Sequence, residues 1–139
     1  MKVLIDTNIL IDFYSKRTDY YETAEKIMAL CAAKTIDACI AAHSITNIFY
    51  ILRKDMDNKL RRSILKDLCL IVTVIGIDKE KLIAALENDS VPDMEDCLQT
   101  ECAKSFGAEL IVTRNIKDYL NSDITAVLPN ELLKKIEYY

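Results

Sequence analysis

The chain has 139 residues, a length typical of one domain spanning residues 1–139. Hydrophobic residues make up 51% and charged residues 29%, which excludes a disordered or fibrous chain. The net charge of −4 at pH 7 argues against nonspecific binding of nucleic acid over the whole protein surface. A local basic surface is still compatible with this net charge.

Apolar runs of strand length alternate with segments of helical periodicity along the whole chain. In chain order the predicted elements are a strand at Lys2–Asp6, helices at Thr7–Tyr14 and Tyr20–Ala33, a strand at Ala38–Ala41, helices at Ser44–Arg53 and Leu60–Leu70, a strand at Ile71–Ile75, a helix capped by Asp78 and running through Leu86, a helix at Asp93–Phe106, strands at Leu110–Thr113 and Thr125–Val127, and a helix at Pro129–Tyr138. No hairpin signal joins two strands. The pattern therefore predicts an α/β domain with a parallel sheet of four to five strands.

Several chemistries are excluded by what the sequence lacks. With two glycines and no Gly-rich loop, the chain cannot build the common phosphate cradles of nucleotide-binding enzymes. The only histidine, His43, cannot form a zinc site alone, and we expect it to be a hydrogen-bonded polar residue near a helix start. The cysteines lack metal-ligand spacing and are predicted to be buried in the core; they are Cys31, Cys39, Cys69, Cys97 and Cys102.

Membrane insertion and secretion are not expected. The apolar, uncharged run Leu68–Ile77 has ten residues, whereas a membrane-spanning helix needs about 20. Asp6 interrupts the apolar start of the chain before the core of a signal peptide is complete. We therefore expect a cytoplasmic protein.

Polar residues follow the strands at the edge where parallel sheets bind ligands. They are Asp6, Thr7 and Asn8 after the first strand, His43, Ser44, Thr46 and Asn47 after the second, Glu95 and Asp96 in the first turn of a helix, and Thr113, Arg114, Asn115 and Asp118 after the fourth. Converging carboxylates repel one another unless a cation neutralises them. Oxygen ligands without histidine or thiolate suit Mg²⁺ or Mn²⁺, which support phosphodiester and phosphoryl transfer.

Each acidic residue also has a structural interpretation, which the sequence leaves open. Asp6 is placed to cap the helix that follows it. Asp93, Glu95 and Asp96 lie where a helix dipole favours negative charge, and Asp118 fits a turn. Composition and spacing alone therefore reach an α/β domain whose acidic strand ends serve either a metal or the fold.

Three regions of the sequence, containing four motifs, resemble PIN-domain nucleases, and in particular the VapC-like toxin ribonucleases of bacteria. The first motif is VLIDTN at 3–8, and the second is SITNIFYILR at 44–53. The third and fourth motifs lie in one region that comprises MEDCLQ at 94–99, AKSFGA at 103–108 and IVTRNIKDY at 111–119. They occur in the family's order and span nearly the whole chain. The resemblance implies a Rossmann-like three-layer domain whose acidic pocket holds Mg²⁺ or Mn²⁺ and hydrolyses RNA.

The resemblance also assigns roles to residues of this chain. Asp6, Asp96 and Asp118 would bind metal, with Asn47 as a further catalytic position; around them Thr7, Asn8, Asp93, Glu95, Thr113 and Asn115 would orient ligands or line the rim. Asn47 stands where the family usually has an acid, and Asn115 where it often has Asp. Each asparagine keeps an oxygen but removes a charge, so we expect one metal position at most. The alternative is a catalytically weak or inactive PIN scaffold that binds RNA or protein.

Two other folds with acidic strand ends fit less well. A haloacid-dehalogenase-type phosphatase would need a second aspartate where Asn8 stands. A response-regulator receiver would need adjacent acids after the first strand and a lysine late in the sheet, and Thr7 and Arg114 do not match that pattern.

A basic segment between residues 53 and 66 is the predicted RNA surface. Six basic residues against two acidic ones give it a net charge of +4. The candidates are Arg53, Lys54, Lys59, Arg61, Arg62 and Lys66, with Arg114 elsewhere in the chain. Because no aromatic residue lies within this run, sequence-selective base stacking is not predicted. The same helical pair could instead be solvated or form the interface of a homodimer, and an antitoxin protein is the other expected partner.

Overall fold

Five parallel strands form the central sheet of the computed structural model, which describes residues 1–137. Strands β1 to β5 are Lys2–Ile5, Asp37–Ala41, Thr73–Ile75, Leu110–Val112 and Thr125–Val127. Helices α1 to α7 are Thr7–Tyr14, Tyr21–Ala32, Ala42–Ile51, Asn58–Ile71, Lys79–Glu87, Met94–Phe106 and Pro129–Glu137. Short 3₁₀ turns occupy Leu52–Lys54 and Ile116–Tyr119. The predicted α/β fold and its order of elements are confirmed, while the predicted helix end at Tyr138 lies outside the described residues.

The strand order explains where a ligand site belongs. The sheet runs β3-β2-β1-β4-β5, so the chain starts in the middle, builds one half, and then crosses to the other side of β1. The carboxyl ends of β1 and β4 therefore flank the switch point, where open parallel sheets bind ligands. Asp6 and Thr113, the residues directly after these two strands, both lie at this position.

Helices cover both faces of the sheet and make three layers. Val3 and Ile5 of β1 face one core, which is built with residues of α1, α2, α3, α4 and α7. Leu4, between them, faces a second core made with Cys102 and Ala103 of α6. Alternate residues of a strand point to opposite faces, and a strand buried on both faces is apolar throughout. This is why Val3–Ile5 of β1 is an uninterrupted apolar run.

Aspartates begin several helices, as their positions in the sequence predict. Asp6 accepts a hydrogen bond from the backbone N–H of Thr7 at 2.7 Å. Asp93 caps α6 by accepting from the backbone N–H of Asp96 at 3.2 Å, and Asp78 caps α5 in the same way. Gly107 ends α6 with φ of 79°, a left-handed conformation that glycine adopts without strain. The structural interpretation of Asp6 and Asp93 is thus correct, and it leaves their remaining oxygen atoms available for other contacts.

The prediction that all the cysteines belong to the core is wrong for one of them. Cys31, Cys39, Cys97 and Cys102 are buried, but Cys69 is exposed. On α4 only the stripe containing Leu65 and Leu68 faces the core, and Cys69 lies beside that stripe. Among residues 1–137, no helix has both the length and the hydropathy that crossing a membrane requires.

Candidate active site

Asp6 is the most strongly constrained carboxylate at the carboxyl edge of the sheet. One oxygen, Oδ2, accepts from the Thr113 hydroxyl at 2.8 Å and from Asn8 Nδ2 at 3.3 Å. The other, Oδ1, accepts from the backbone N–H of Thr7 and from Gln99 Nε2 at 3.1 Å. Burial raises the pKa of Asp6, and these hydrogen bonds partly oppose the increase. The contacts fix the direction in which the carboxylate points.

A tyrosine joins Asp6 to the second carboxylate of the site. The phenol oxygen of Tyr119 lies 3.3 Å from Asp6 Oδ2 and 3.3 Å from Asp96 Oδ1. Because a phenol has one proton, it donates to one of the two carboxylates at a time. Burial and the two carboxylates raise the pKa of Tyr119 far above its usual value, so the hydroxyl keeps its proton. Asp6 and Asp96 therefore form a pair linked by one shared donor.

Asp96 is half-buried in the first turn of α6 and has a strongly perturbed acidity. Burial, followed by the negative charges of Asp93, Asp6 and Asp118, raises its pKa to about 7, and the hydrogen bond from the Tyr119 hydroxyl opposes the increase. A carboxyl that gives up its proton only near neutral pH is one that a nearby cation would stabilise in its charged form. Titratable groups perturbed in this way concentrate at functional sites.

The cavity beside these carboxylates has a volume of about 380 Å³. Its lining includes seven of the predicted site residues, namely Asp6, Thr7, Asn8, Asn47, Glu95, Asp96 and Asn115. Thr113 is buried and contacts Asp6, and Asp93 caps α6, but neither residue lines the cavity. Asp118 lies in the 3₁₀ turn, where its charge acts on Asp96, but it does not line the cavity.

The donor set suits a hard cation with few protein ligands. In residues 1–137, no three side chains among histidine, cysteine, aspartate and glutamate are arranged to hold one metal ion. Asp6, Asp96 and Asp118 therefore do not form a preassembled triad, and their assignment as ligands stays a prediction. Two carboxylates nevertheless fit Mg²⁺, which commonly takes one or two from the protein and completes its coordination with water and substrate phosphates.

Two buried side-chain nitrogen or oxygen atoms within residues 1–137 have no hydrogen-bond partner, and both belong to residues that line this cavity. They are His43 Nδ1 and Gln99 Oε1. The expectation that His43 is a fully hydrogen-bonded helix-start residue is therefore wrong, because its ring packs against the site and burial lowers its pKa. Buried polar atoms without a partner are rare in proteins, and such atoms fit a cavity that receives a polar ligand.

Among the residues that support the two carboxylates, Gln99 and Tyr119 were not predicted from sequence to have a role in the site. Gln99 Nε2 lies 3.2 Å from Thr7 Oγ1 and 3.4 Å from Ser44 Oγ, in addition to its bond to Asp6. The Thr7 and Ser44 hydroxyls are 2.7 Å apart. The one available signal was helical spacing, because Gln99 follows Asp96 by three residues and so shares its face of α6.

Arg114 does not project freely into solvent as a dedicated RNA ligand would. Its Nε and Nη2 donate to the two oxygens of Asp12 at 2.6 and 3.1 Å, and its guanidinium lies 3.9 Å from the centre of the Tyr20 ring. Arg17 reaches the same carboxylate at 3.3 Å. The Asp12–Arg114 pair connects α1 to the segment after β4. In that segment the Arg114 backbone N–H also donates to Asn8 Oδ1.

The predicted basic surface is associated with aromatic rings, contrary to expectation. Arg61 and Arg62 lie over the Phe49 ring, at 4.1 and 5.9 Å, and Arg53 lies over the Tyr50 ring at 3.7 Å. Lys54, Lys59 and Lys66 are exposed. The basic run contains no aromatic residue, but folding supplies two from the end of α3. The absence of aromatic residues from the basic run therefore does not mean that aromatic rings are absent from the basic surface.

Comparison with known proteins decides the family. The family model described as PIN domain matches residues 2–117. The chain belongs to the PIN-domain family. The resemblance seen in the sequence motifs is thus confirmed, and Asp6 and Asp96, whose carboxylates Tyr119 links in this PIN domain, both lie inside the matched region.

Solved structures share this PIN fold over most of their length. A toxin–antitoxin complex from Klebsiella pneumoniae matches with a TM-score of 0.70 and 22% identity, covering 91% of this chain and 97% of that one. DNA-bound VapBC from Salmonella typhimurium matches with a TM-score of 0.69 and 18% identity over 93% and 98%. VapC20 of Mycobacterium tuberculosis, a toxin that cleaves the sarcin–ricin loop, gives 0.62 and 14% over 78% and 86%. A comparison with curated protein sequences found no match.

Proposed function

We propose that this PIN domain, over residues 1–139, is a metal-dependent endoribonuclease that hydrolyses RNA phosphodiester bonds in the Asp6–Asp96 cavity. The observation that carries the proposal is the carboxylate pair at the switch point of the sheet, linked through Tyr119 and open to a cavity of about 380 Å³. The VapC neighbours add support, because one of them is described as a toxin that cleaves the sarcin–ricin loop.

In this proposal Asp6 and Asp96 hold one Mg²⁺ or Mn²⁺, with Asp118 as the third acid near it. When bound, the ion supplies Lewis acidity to a phosphate oxygen and to water. Thr113, Asn8 and Gln99 keep Asp6 in one orientation through the hydrogen bonds described above. The side-chain amide of Asn47 lines the same cavity and contributes a neutral oxygen rather than a charge.

The partners follow from the same neighbours. Two of the solved structures above are toxin–antitoxin complexes, so we propose that this chain is the toxin of such a pair in a bacterial cytoplasm. The antitoxin is a protein partner, and a homodimer is the proposed assembly. The substrate is RNA, with the exposed basic residues at 53–66 following its phosphates.

Mn²⁺ binding and RNA cleavage measured together test the proposal. Wild type should bind Mn²⁺ in calorimetry with micromolar to millimolar affinity and cleave RNA only when the metal is present. Asp96→Asn should lose detectable binding and at least about 100-fold of the cleavage rate, because it removes one of two carboxylates. Glu22→Gln, which removes an exposed carboxylate on α2, is the matched control and should behave as wild type.

The contrary outcome is equally informative. A wild type that neither binds Mn²⁺ nor cleaves RNA would rule out the nuclease. Such a result would favour a binding module, because Asn47 and Asn115 leave this cavity with less negative charge than the family's usual site.

Tyr119→Phe should weaken Mn²⁺ binding by about 10- to 100-fold, the range seen when a residue that orients metal ligands is lost. The change keeps the buried ring and removes only the hydroxyl shared by Asp6 and Asp96. Calorimetry with Mn²⁺ measures the effect, and thermal unfolding without metal should show little change. Tyr14→Phe removes a partly buried phenol outside the cavity and is the control. Equal Mn²⁺ affinity in wild type and Tyr119→Phe would contradict the positioning role.

A further inference from the structure

An exposed apolar wall stands beside the acidic cavity. Tyr50 is 62% exposed and Ile51 is 40% exposed, and both line the same cavity as Asp6 and Asp96. They lie in the last turn of α3, whose Ile48 is fully buried in the core. Neighbouring large apolar side chains left open to solvent at the rim of a polar cavity mark a contact surface for a ligand.

The Tyr50 ring is held in place by its own neighbour. The guanidinium of Arg53 lies 3.7 Å from the centre of the ring, and its Nη1 donates to the backbone oxygen of Tyr50 at 2.9 Å. The hydrogen bond and the cation–π contact fix the arginine on the ring. A ring restrained before binding loses less freedom when a flat ligand stacks on it.

The surroundings favour a nucleobase over a protein side chain as the flat ligand. Arg53 and Lys54 are exposed next to the ring, and Arg61 and Arg62 follow on α4, so positive charge continues away from the cavity. Single-stranded RNA combines uncharged aromatic bases with a phosphate chain that such a surface attracts.

We propose that Tyr50, backed by Arg53, stacks one unpaired base of the RNA strand whose backbone crosses the Asp6–Asp96 cavity. The inference rests on the proposed function and specifies its substrate as single-stranded RNA at the cleavage site. In a duplex the bases are already stacked on one another, so they cannot pack on Tyr50 without first leaving the helix.

Fluorescence anisotropy with a labelled ten-nucleotide single-stranded RNA, in the presence of a chelator to prevent metal-dependent cleavage, tests the site. Tyr50→Leu should weaken binding by about 10- to 100-fold, the range expected for loss of one stacking aromatic. Tyr50→Phe retains the ring and should stay within about threefold of wild type. Inorganic polyphosphate has charge but no bases, so its affinity should be equal for wild type and both variants.

Three results would overturn the inference. One is a Tyr50→Leu protein that binds the RNA as wild type does, and another is a parallel loss of polyphosphate binding. The third is a change in sedimentation with unchanged RNA affinity, which would assign the wall to a protein interface. Mn²⁺-dependent cleavage tests the nuclease proposal separately. If Tyr50→Leu weakens RNA binding but wild type does not cleave RNA, the stacking site is supported and the enzyme is rejected.

Discussion

Arg114→Met should destabilise the protein by about 3–5 kcal/mol, the cost of leaving a buried carboxylate without its main partner. Asp12 is 1% exposed, and Arg114 provides both of its short hydrogen bonds. Methionine has a similar volume but no charge, so the loss comes from the unpaired carboxylate. Thermal unfolding should show a decrease in Tm of roughly 10–20 °C.

Two variants separate the buried pair from general effects of removing positive charge. Arg17→Met breaks only the 3.3 Å contact of a half-exposed guanidinium with Asp12 and should cost less than about 1 kcal/mol. The double variant Asp12→Leu with Arg114→Met contains no buried unpaired charge and should be more stable than Arg114→Met alone. Equal stability of Arg114→Met and wild type would show that the pair contributes nothing.

The Asp12–Arg114 pair also bears on the site. Thr113 and Asn115 flank Arg114, and the Thr113 hydroxyl is the closest side-chain donor to Asp6. Fixing Arg114 to α1 therefore fixes the segment that orients Asp6. Arg114→Met should for this reason weaken any binding in the cavity along with stability, whereas loss of an RNA-contacting arginine would leave the fold unchanged.

The fold could be predicted from sequence because its signals are local. The buried strands are short apolar runs, and four helices are capped by a preceding aspartate, namely Asp6, Asp57, Asp78 or Asp93. One boundary error is at Ile71, whose β-branched side chain predicts a strand residue. The structure continues α4 to Ile71 and starts the strand at Thr73. Packing of the helix on the core outweighs the strand propensity of this residue.

The candidate site was predictable only in outline. Topology places strand ends at one edge, so the proximity of Asp6 and Asp96 followed from the order of elements. The link through Tyr119 did not, because a tyrosine near the end of a motif looks the same in sequence whether its hydroxyl meets solvent or two carboxylates. The partnership of Asp12 and Arg114 joins residues 102 positions apart and has no sequence periodicity to reveal it.

Above pH 7 and without metal, Asp96→Asn should be more stable than wild type, although it is the variant expected to lose function. The folded-state pKa of Asp96 is about 7, whereas an unfolded aspartate titrates near 3.9. Folded wild type therefore binds a proton that the unfolded chain has already lost between these values. The contribution of this proton to the free energy of unfolding is fully present below about pH 4, and it is lost as the pH rises to 7. Asparagine does not titrate, so the variant lacks this decline.

Unfolding by denaturant at pH 5 and pH 8, with a chelator present, measures the effect. From pH 5 to pH 8, the free energy of unfolding of the variant should rise by about 1–2 kcal/mol relative to that of wild type. The difference is smaller than for a fully buried carboxyl, because Asp96 is only half-buried. Mn²⁺ at 100 times its dissociation constant should reverse the order by stabilising wild type alone by about 2.7 kcal/mol. A pH-independent difference would show that Asp96 is not perturbed in the folded protein. A reversal by metal would show that the cation offsets the burial and the repulsion that destabilise the ionised Asp96 carboxylate in the metal-free site.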